Sequence, residues 1–319
     1  MKRRIACLIL ACLLVALPLC GCSGEKDEAR VRIVCTVFPF YDWVRNIVGD
    51  VEGVEILWLS DNGSDLHSFQ PSASDMIAIA SADLTVYAGG MSDAWIEEAL
   101  KNAKSESGMP LFSVEGVRAR PVAAEWGHDH EDGHDHDADE HLWLSLRNAA
   151  VCVEAISLRL CELDGENGEV YRANAEAYAK RLRSLDAGAV EAFSVAEAPR
   201  ALFADRFPFV YLLEDYGIEY RAAFRGCTTD VDADFSTVIE LARTLDEWSL
   251  RYVLVTESSD GSLADSVIRA SSQKDCRVLR LASMQAVRRS EAEEGLTYLS
   301  AMEQNFLILL QALELDLDG

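Results

Sequence analysis

From Glu166 to Val195 the chain runs without a proline, and apolar side chains recur at Tyr171, Ala175, Tyr178, Leu182, Leu185, Ala189 and Phe193. Steps of three and four place all seven on one stripe of a single amphipathic α-helix, about 30 residues and 45 Å long. Such a stripe must be covered along its whole length. A coiled-coil partner is one cover; the stripe's alanine content and its flanks, which carry a different periodicity, favour a rigid spine lying between two folded lobes.

The flanks alternate short β-branched runs with helical patterns. Before the spine the runs are Val31–Val37, Val54–Leu59, Leu84–Tyr87 and Leu111–Val114, separated by helices predicted at Phe40–Val48, Ala73–Ile79 and Ser92–Lys104, with a further helix at Leu146–Leu163. After it come strands Ala201–Ala204, Tyr220–Phe224, Tyr252–Thr256 and Cys276–Leu281, with helices at Phe209–Tyr216, Asp234–Trp248, Ser262–Ala270 and Tyr298–Leu313. Strands spaced by helices of this length predict parallel sheets with helices on their faces. The expected fold is therefore α/β: two similar lobes, 31–163 and 197–319, each a mainly parallel sheet flanked by helices, joined by one long helix within 164–196.

Lys2, Arg3 and Arg4, the apolar run Ile5–Leu17 and the small-residue site Leu19-Cys20-Gly21-Cys22 read as a secretory signal, too short in its apolar part to span a bilayer. A Cys after Leu-x-Gly resembles a bacterial lipobox, which implies removal of residues 1–21, a lipid on Cys22 and a polar tether over 22–30. The protein is expected outside the cytoplasm, held at the outer face of a bacterial membrane. Loss of three cations and no anion takes the net charge from −25 to −28, which disfavours nucleic acid and anionic lipid and attracts cations. Cys35, Cys152, Cys161, Cys227 and Cys276 remain in the mature chain; an odd number without a CxxC spacing describes neither a disulfide framework nor a zinc knuckle. Cys35 reads as a buried strand residue.

Five of the six histidines fall in Gly127–Trp143, at His128, His130, His134, His136 and His141, among Asp, Glu and Gly. A solvated acidic loop explains the carboxylates but not the imidazoles, and imidazole with carboxylate suits divalent transition metals. His141 lies where the run returns to apolar sequence and is anchored. The other four have no such anchor and read as a mobile collecting arm. The sixth histidine, His67, follows the strand Val54–Leu59 and a short polar loop, at the carboxyl edge of a parallel sheet where ligands of α/β folds bind.

Asp65-Leu66-His67-Ser68-Phe69-Gln70-Pro71-Ser72-Ala73-Ser74-Asp75 resembles D-P-H-x-[FY]-x-P-[ST]-x-x-D, and Glu140-His141-Leu142-Trp143-Leu144 resembles P-H-x-W-[LM]; Leu163-Asp164-Gly165-Glu166-Asn167 resembles the usual start of a spine helix. Together these resemble the metal-binding lipoproteins of ABC importers for zinc and manganese, the ZnuA-like and PsaA-like cluster. The resemblance implies an interlobe cleft holding one divalent metal, two ligands from each lobe, with His67 and His141 supplying the first pair. It also implies a monomer that delivers Zn²⁺, with Mn²⁺ as the alternative cargo, to an ABC permease and its ATPase. The second lobe departs from the pattern: the position ten residues before Tyr216 is Arg206, which stays protonated and cannot ligate. Asp205 is the neighbouring candidate ligand, or a helix cap. Val255-Thr256-Glu257-Ser258-Ser259-Asp260 resembles the manganese branch's E-S-S-x-D, which carries a ligand role onto Asp260, with Glu257 holding loop structure. Cys227 offers a thiolate that would favour zinc, or is an inert buried thiol. Two other functions compete: a zinc hydrolase, for which no H-E-x-x-H is present, and a surface adhesin or metal buffer without a transporter.

Deletion of Gly127 to Asp137 is expected to leave one tight site and remove weaker additional ones, because an arm without core residues must be ordered on binding. Zinc stoichiometry by native mass spectrometry checks it; an unchanged stoichiometry in excess zinc excludes the collecting role.

Overall fold

The computed structural model describes residues 30–101, 103, 106–121, 138–224 and 234–315. The signal sequence, Cys22 and the tether up to residue 29, the arm histidines His128, His130, His134 and His136, and Cys227 lie outside the described residues.

Strands β1 (Val31–Cys35), β2 (Val54–Trp58), β3 (Leu84–Tyr87) and β4 (Gly108–Pro110) form one parallel sheet in the order β2-β1-β3-β4. Strands β5 (Arg200–Phe203), β6 (Glu219–Ala222), β7 (Tyr252–Thr256) and β8 (Arg277–Leu281) form a second with the matching order β6-β5-β7-β8. Central strands are apolar on both faces, as with Ile33, Val34 and Cys35 or Val253, Leu254 and Val255, because helices cover both sides. The edge strand β2 carries exposed Glu55 and Leu57. In each sheet the chain reverses its lateral direction between the first and third strands, and ligands of open parallel sheets bind beyond the carboxyl ends at such a point.

Two expected elements differ. The pattern at Ser92–Lys104 resolves into a 3-10 turn, Met91–Asp93, and a shorter helix, Ala94–Leu100. Leu111–Val114 is not a strand: Leu111–Ser113 forms a 3-10 turn that buries Leu111, and pairing to β3 falls on Gly108–Pro110. Gly108 fits there because a Cβ on it would stand 2.6 Å from Leu100. Backbone pairing selected this segment, and it has no apolar signature to read.

The long helix spans Gly168–Phe193, 26 residues. Six of its seven stripe residues are buried, and Leu185 is partly so. The stripe serves both halves: Tyr178 reaches the first helix, Phe38–Val48, while Phe193 packs on Tyr216 and Phe306. A single apolar core runs from Val31 through this helix to Leu310, so the halves share their interior. The final helix, Tyr298–Ala312, closes it: Tyr298 is fully buried, stacks edge-on against Trp43 and donates its hydroxyl to the carbonyl of Trp143 at 2.5 Å.

One carboxylate ties three of these helices. Buried Asp42 accepts from the Tyr178 hydroxyl and the Tyr298 backbone N–H, both at 3.2 Å, and from Arg45 at 3.4 Å. Burial pushes its carboxyl above the usual range, and the hydrogen bonds from Tyr298 and Tyr178 and the Arg45 charge pull it back. Asp42→Ala orphans these donors and is expected to lower stability by about 3 kcal/mol. Urea unfolding checks it as a reduced midpoint with an unchanged slope.

Candidate metal centre

His67 sits in a 3-10 turn, Leu66–Ser68, anchored by buried Leu66 and capped by Asp65, whose Oδ1 accepts the His67 backbone N–H at 2.9 Å. Its Nδ1 meets the Ser92 hydroxyl at 2.8 Å. Ser92 is held in turn, because its backbone N–H donates to Glu140 Oε1 at 2.6 Å. The other oxygen, Glu140 Oε2, is buried, has no hydrogen-bond partner among the described residues and lies 3.8 Å from His67 Nδ1. Gly90 makes room for this carboxylate: a Cβ there would stand 2.5 Å from the Glu140 side chain. Burial and then the neighbouring His141 push the His67 imidazole below its usual range, against the pull of Asp65, Glu140 and Asp139.

His141 is 2% exposed and precedes the buried turn Leu142–Leu144. Asp139 Oδ1 accepts both its backbone N–H at 2.9 Å and its ring Nδ1–H at 2.8 Å. That carboxylate is placed by the other half of the chain, since the Tyr211 hydroxyl donates to the Asp139 carbonyl at 2.8 Å. Trp143 stacks edge-on against the His141 ring and donates its indole N–H to the Ser283 carbonyl at 2.8 Å. With both Nδ1 atoms engaged behind the rings, the Nε2 atoms of His67 and His141 face each other at 3.3 Å. Two nitrogens bound to one tetrahedral zinc at 2.0–2.1 Å stand about 3.3–3.4 Å apart. The pair fits the bite of a zinc ion, and carboxylates behind metal-binding imidazoles are the usual orienting partners.

The carboxylates of the second half do not join this pair. Asp205 stands at the end of β5, where its Oδ2 accepts the Thr256 N–H at 2.9 Å and hydroxyl at 2.6 Å, stitching the ends of β5 and β7. Asp260 is exposed and accepts the Ser262 N–H at 2.8 Å, ahead of the helix Ser262–Ala270. These hydrogen bonds from Ser262 hold its carboxyl below the usual range. Glu257 takes the Ser283 N–H and hydroxyl at 2.8 Å and the Met284 N–H at 3.1 Å, and so fastens the loop after β8. Arg206, at the position expected to ligate, instead pairs with Asp65 at 3.4 Å, across to the turn that carries His67. Among the described residues no group of three or more His, Cys, Asp and Glu is arranged to hold a metal. Among the described residues of the second half, Gln285 reaches the pair, with its Oε1 3.1 Å from His141 Nε2. A lone glutamine in a loop carries no sequence signal, and Asp139 is indistinguishable in sequence from the other acids of its run.

Residues 33–312 match the family described as zinc-uptake complex component A, periplasmic. The chain is 28% identical over 307 residues to the zinc-binding lipoprotein AdcA of Streptococcus pneumoniae, covering 95% of this chain and 60% of that protein. It is 25% identical over 316 residues to the high-affinity zinc uptake system protein ZnuA of Bacillus subtilis, covering 96% of each. The chain thus spans about 60% of the length of the AdcA relatives. Among solved structures, the Zn(II)-bound ZnuA-like domain of S. pneumoniae AdcA shares the fold with a TM-score of 0.71 at 23% identity, covering 89% of this chain and 99% of that one. The Mn²⁺ complex of FpvC from Pseudomonas aeruginosa does so with a TM-score of 0.71 at 24% identity and the same coverage. On the match over residues 33–312, the chain belongs to the ZnuA family.

Proposed function

We propose that this protein is an extracytoplasmic solute-binding protein that captures zinc between its two halves and delivers it to an ABC permease. The facing Nε2 atoms of His67 and His141, 3.3 Å apart with both Nδ1 atoms engaged, carry the reading. Related proteins named for zinc binding and zinc uptake support it. In this reading Cys22 bears the lipid anchor, the first lobe is 31–163 and the second 197–319, and the arm histidines concentrate the ion ahead of the cleft. Zinc is favoured over manganese because Asp205 and Asp260 are committed to backbone and hydroxyl donors elsewhere. A hydrolase would need a base beside an open coordination position; Glu140 and Asp139 stand behind the histidines instead.

Elemental analysis and native mass spectrometry of protein purified without chelators should find one zinc per chain. His67→Ala and His141→Ala are each expected to abolish tight binding in chelator-competition titrations; wild-type affinity in either variant removes the cleft assignment. Asp139→Asn is expected to weaken zinc about 10- to 100-fold while leaving the ligands in place. Asp260→Ala is expected to bind zinc as the parent chain does, and Asp205→Ala to lower stability by about 1–3 kcal/mol through the lost bonds to Thr256. A large loss of zinc affinity in Asp260→Ala would restore the ligand role that its sequence motif suggests.

A further inference from the structure

The loop that carries His67 is held from both halves of the molecule. Its root is fixed within the first half, where the Trp58 indole N–H donates to the Ser60 hydroxyl at 3.0 Å and that hydroxyl donates to the Thr36 carbonyl at 2.9 Å. Its middle is held by the second half. Asp61 accepts the Arg289 backbone N–H on its carbonyl at 2.7 Å and the Arg289 guanidinium on its carboxylate at 2.6 and 2.8 Å. Asn62 forms an antiparallel backbone bridge with Arg288. Gly63 is the residue this contact demands: its φ is +83°, and a Cβ there would stand 2.8 Å from the Arg288 side chain and 3.4 Å from the Ala286 carbonyl oxygen. Two residues on, Asp65 takes Arg206 at 3.4 Å. Arg206, Arg288 and Arg289 thus grip the stretch from Asp61 to Asp65, just ahead of His67.

We propose that this arginine clasp is the gate through which zinc enters and leaves. The proposal rests on the zinc-capture reading. The side chains of His67 and His141 keep 15% and 2% of their surface exposed, so an ion reaches the ring nitrogens only when surrounding segments part. The sheets do not supply that movement, because the packed stripe of the long helix fixes their spacing. The crossing from Tyr211 to the Asp139 carbonyl is buried. The clasp, by contrast, joins the halves by partly exposed charges, with Asp61 at 32% and Arg289 at 45%, where water replaces the contact at little cost. It is made by the chain's own groups and has no part for the ion. Loosening it therefore raises the open population of loaded and empty protein alike, and both rates of zinc exchange rise while the equilibrium affinity holds. Groups that only shape the ligands behave differently: their loss speeds departure, and affinity falls with it.

The test uses the full chain and zinc chloride. Dissociation is read by stopped-flow capture with excess chelator, association by tryptophan fluorescence, and affinity by chelator competition at equilibrium. Asp61→Asn combined with Arg289→Gln removes the ion pair without changing the net charge, and should raise both rate constants about two- to fivefold with affinity close to that of the parent. Parent-like rates overturn the proposal, as does faster dissociation matched by an equal loss of affinity. Asp61→Arg combined with Arg289→Asp exchanges the two charges and should slow both rates again relative to either single change; failure to do so also counts against the gate. Melting of the metal-free protein by circular dichroism tests folding. Should the neutral pair melt far below the parent, Arg289→Gln alone, which keeps its backbone N–H on Asp61, must show the same rise in both rates. His67→Ala separates the two levels. If it loses zinc while the clasp variants exchange zinc as the parent does, only the gate falls; if it binds zinc as the parent does, the cleft reading falls and the gate with it.

Discussion

The buried stripe of the 26-residue helix holds the two sheets at one spacing, because Tyr171 and Tyr178 are committed to one half and Phe193 to the other. Interiors pack too densely for such a contact to slide. With Asp42 and Tyr298 joining the first, long and last helices, the region between the sheets is a consequence of core packing rather than of loop contacts. That is why a loop from β8 can bring Gln285 within 3.1 Å of a histidine 144 residues away in sequence.

Charge in this protein is arranged by layers. The chain as a whole is strongly acidic, yet the side chains that meet at the junction are two imidazoles and an amide, and Asp139 and Glu140 stand behind the imidazoles. Asp139 fixes the tautomer of His141 by taking its Nδ1–H, and Glu140 is buried behind His67. Its Oε1 takes the Ser92 N–H, so the carboxylate fixes the segment against which the His67 ring rests. Arg206 fits the same scheme: it cannot ligate, and it neutralises Asp65, the carboxylate that shapes the His67 turn.

Much of this was legible in the residues. The three-four spacing of the long helix, the β-branched runs of the central strands and the positions of His67 and His141 at the ends of apolar segments are local properties. They survive in one dimension because helix period, strand burial on both faces and loop anchoring each leave a repeating or bounded pattern. β4 left none, since a short edge segment containing Gly108 and Pro110 is chosen by pairing rather than by its side chains.

The chain's own letters therefore determined the α/β class, the spine and the places of His67 and His141 at the ends of apolar segments. Only the tertiary structure decided which side chains of the second half come near His141. Asp205 and Asp260 read as candidate ligands in sequence because carboxylates at strand ends have the right chemistry, and in the structure nearby backbone N–H and hydroxyl groups hold them at 2.6–2.9 Å. Gln285 looks like nothing in sequence and is brought to His141 by Glu257, Asn305 and the strained turn at Met284. Which donors meet depends on hydrogen-bond competition and loop closure across distant segments, and neither leaves a periodic trace along the chain.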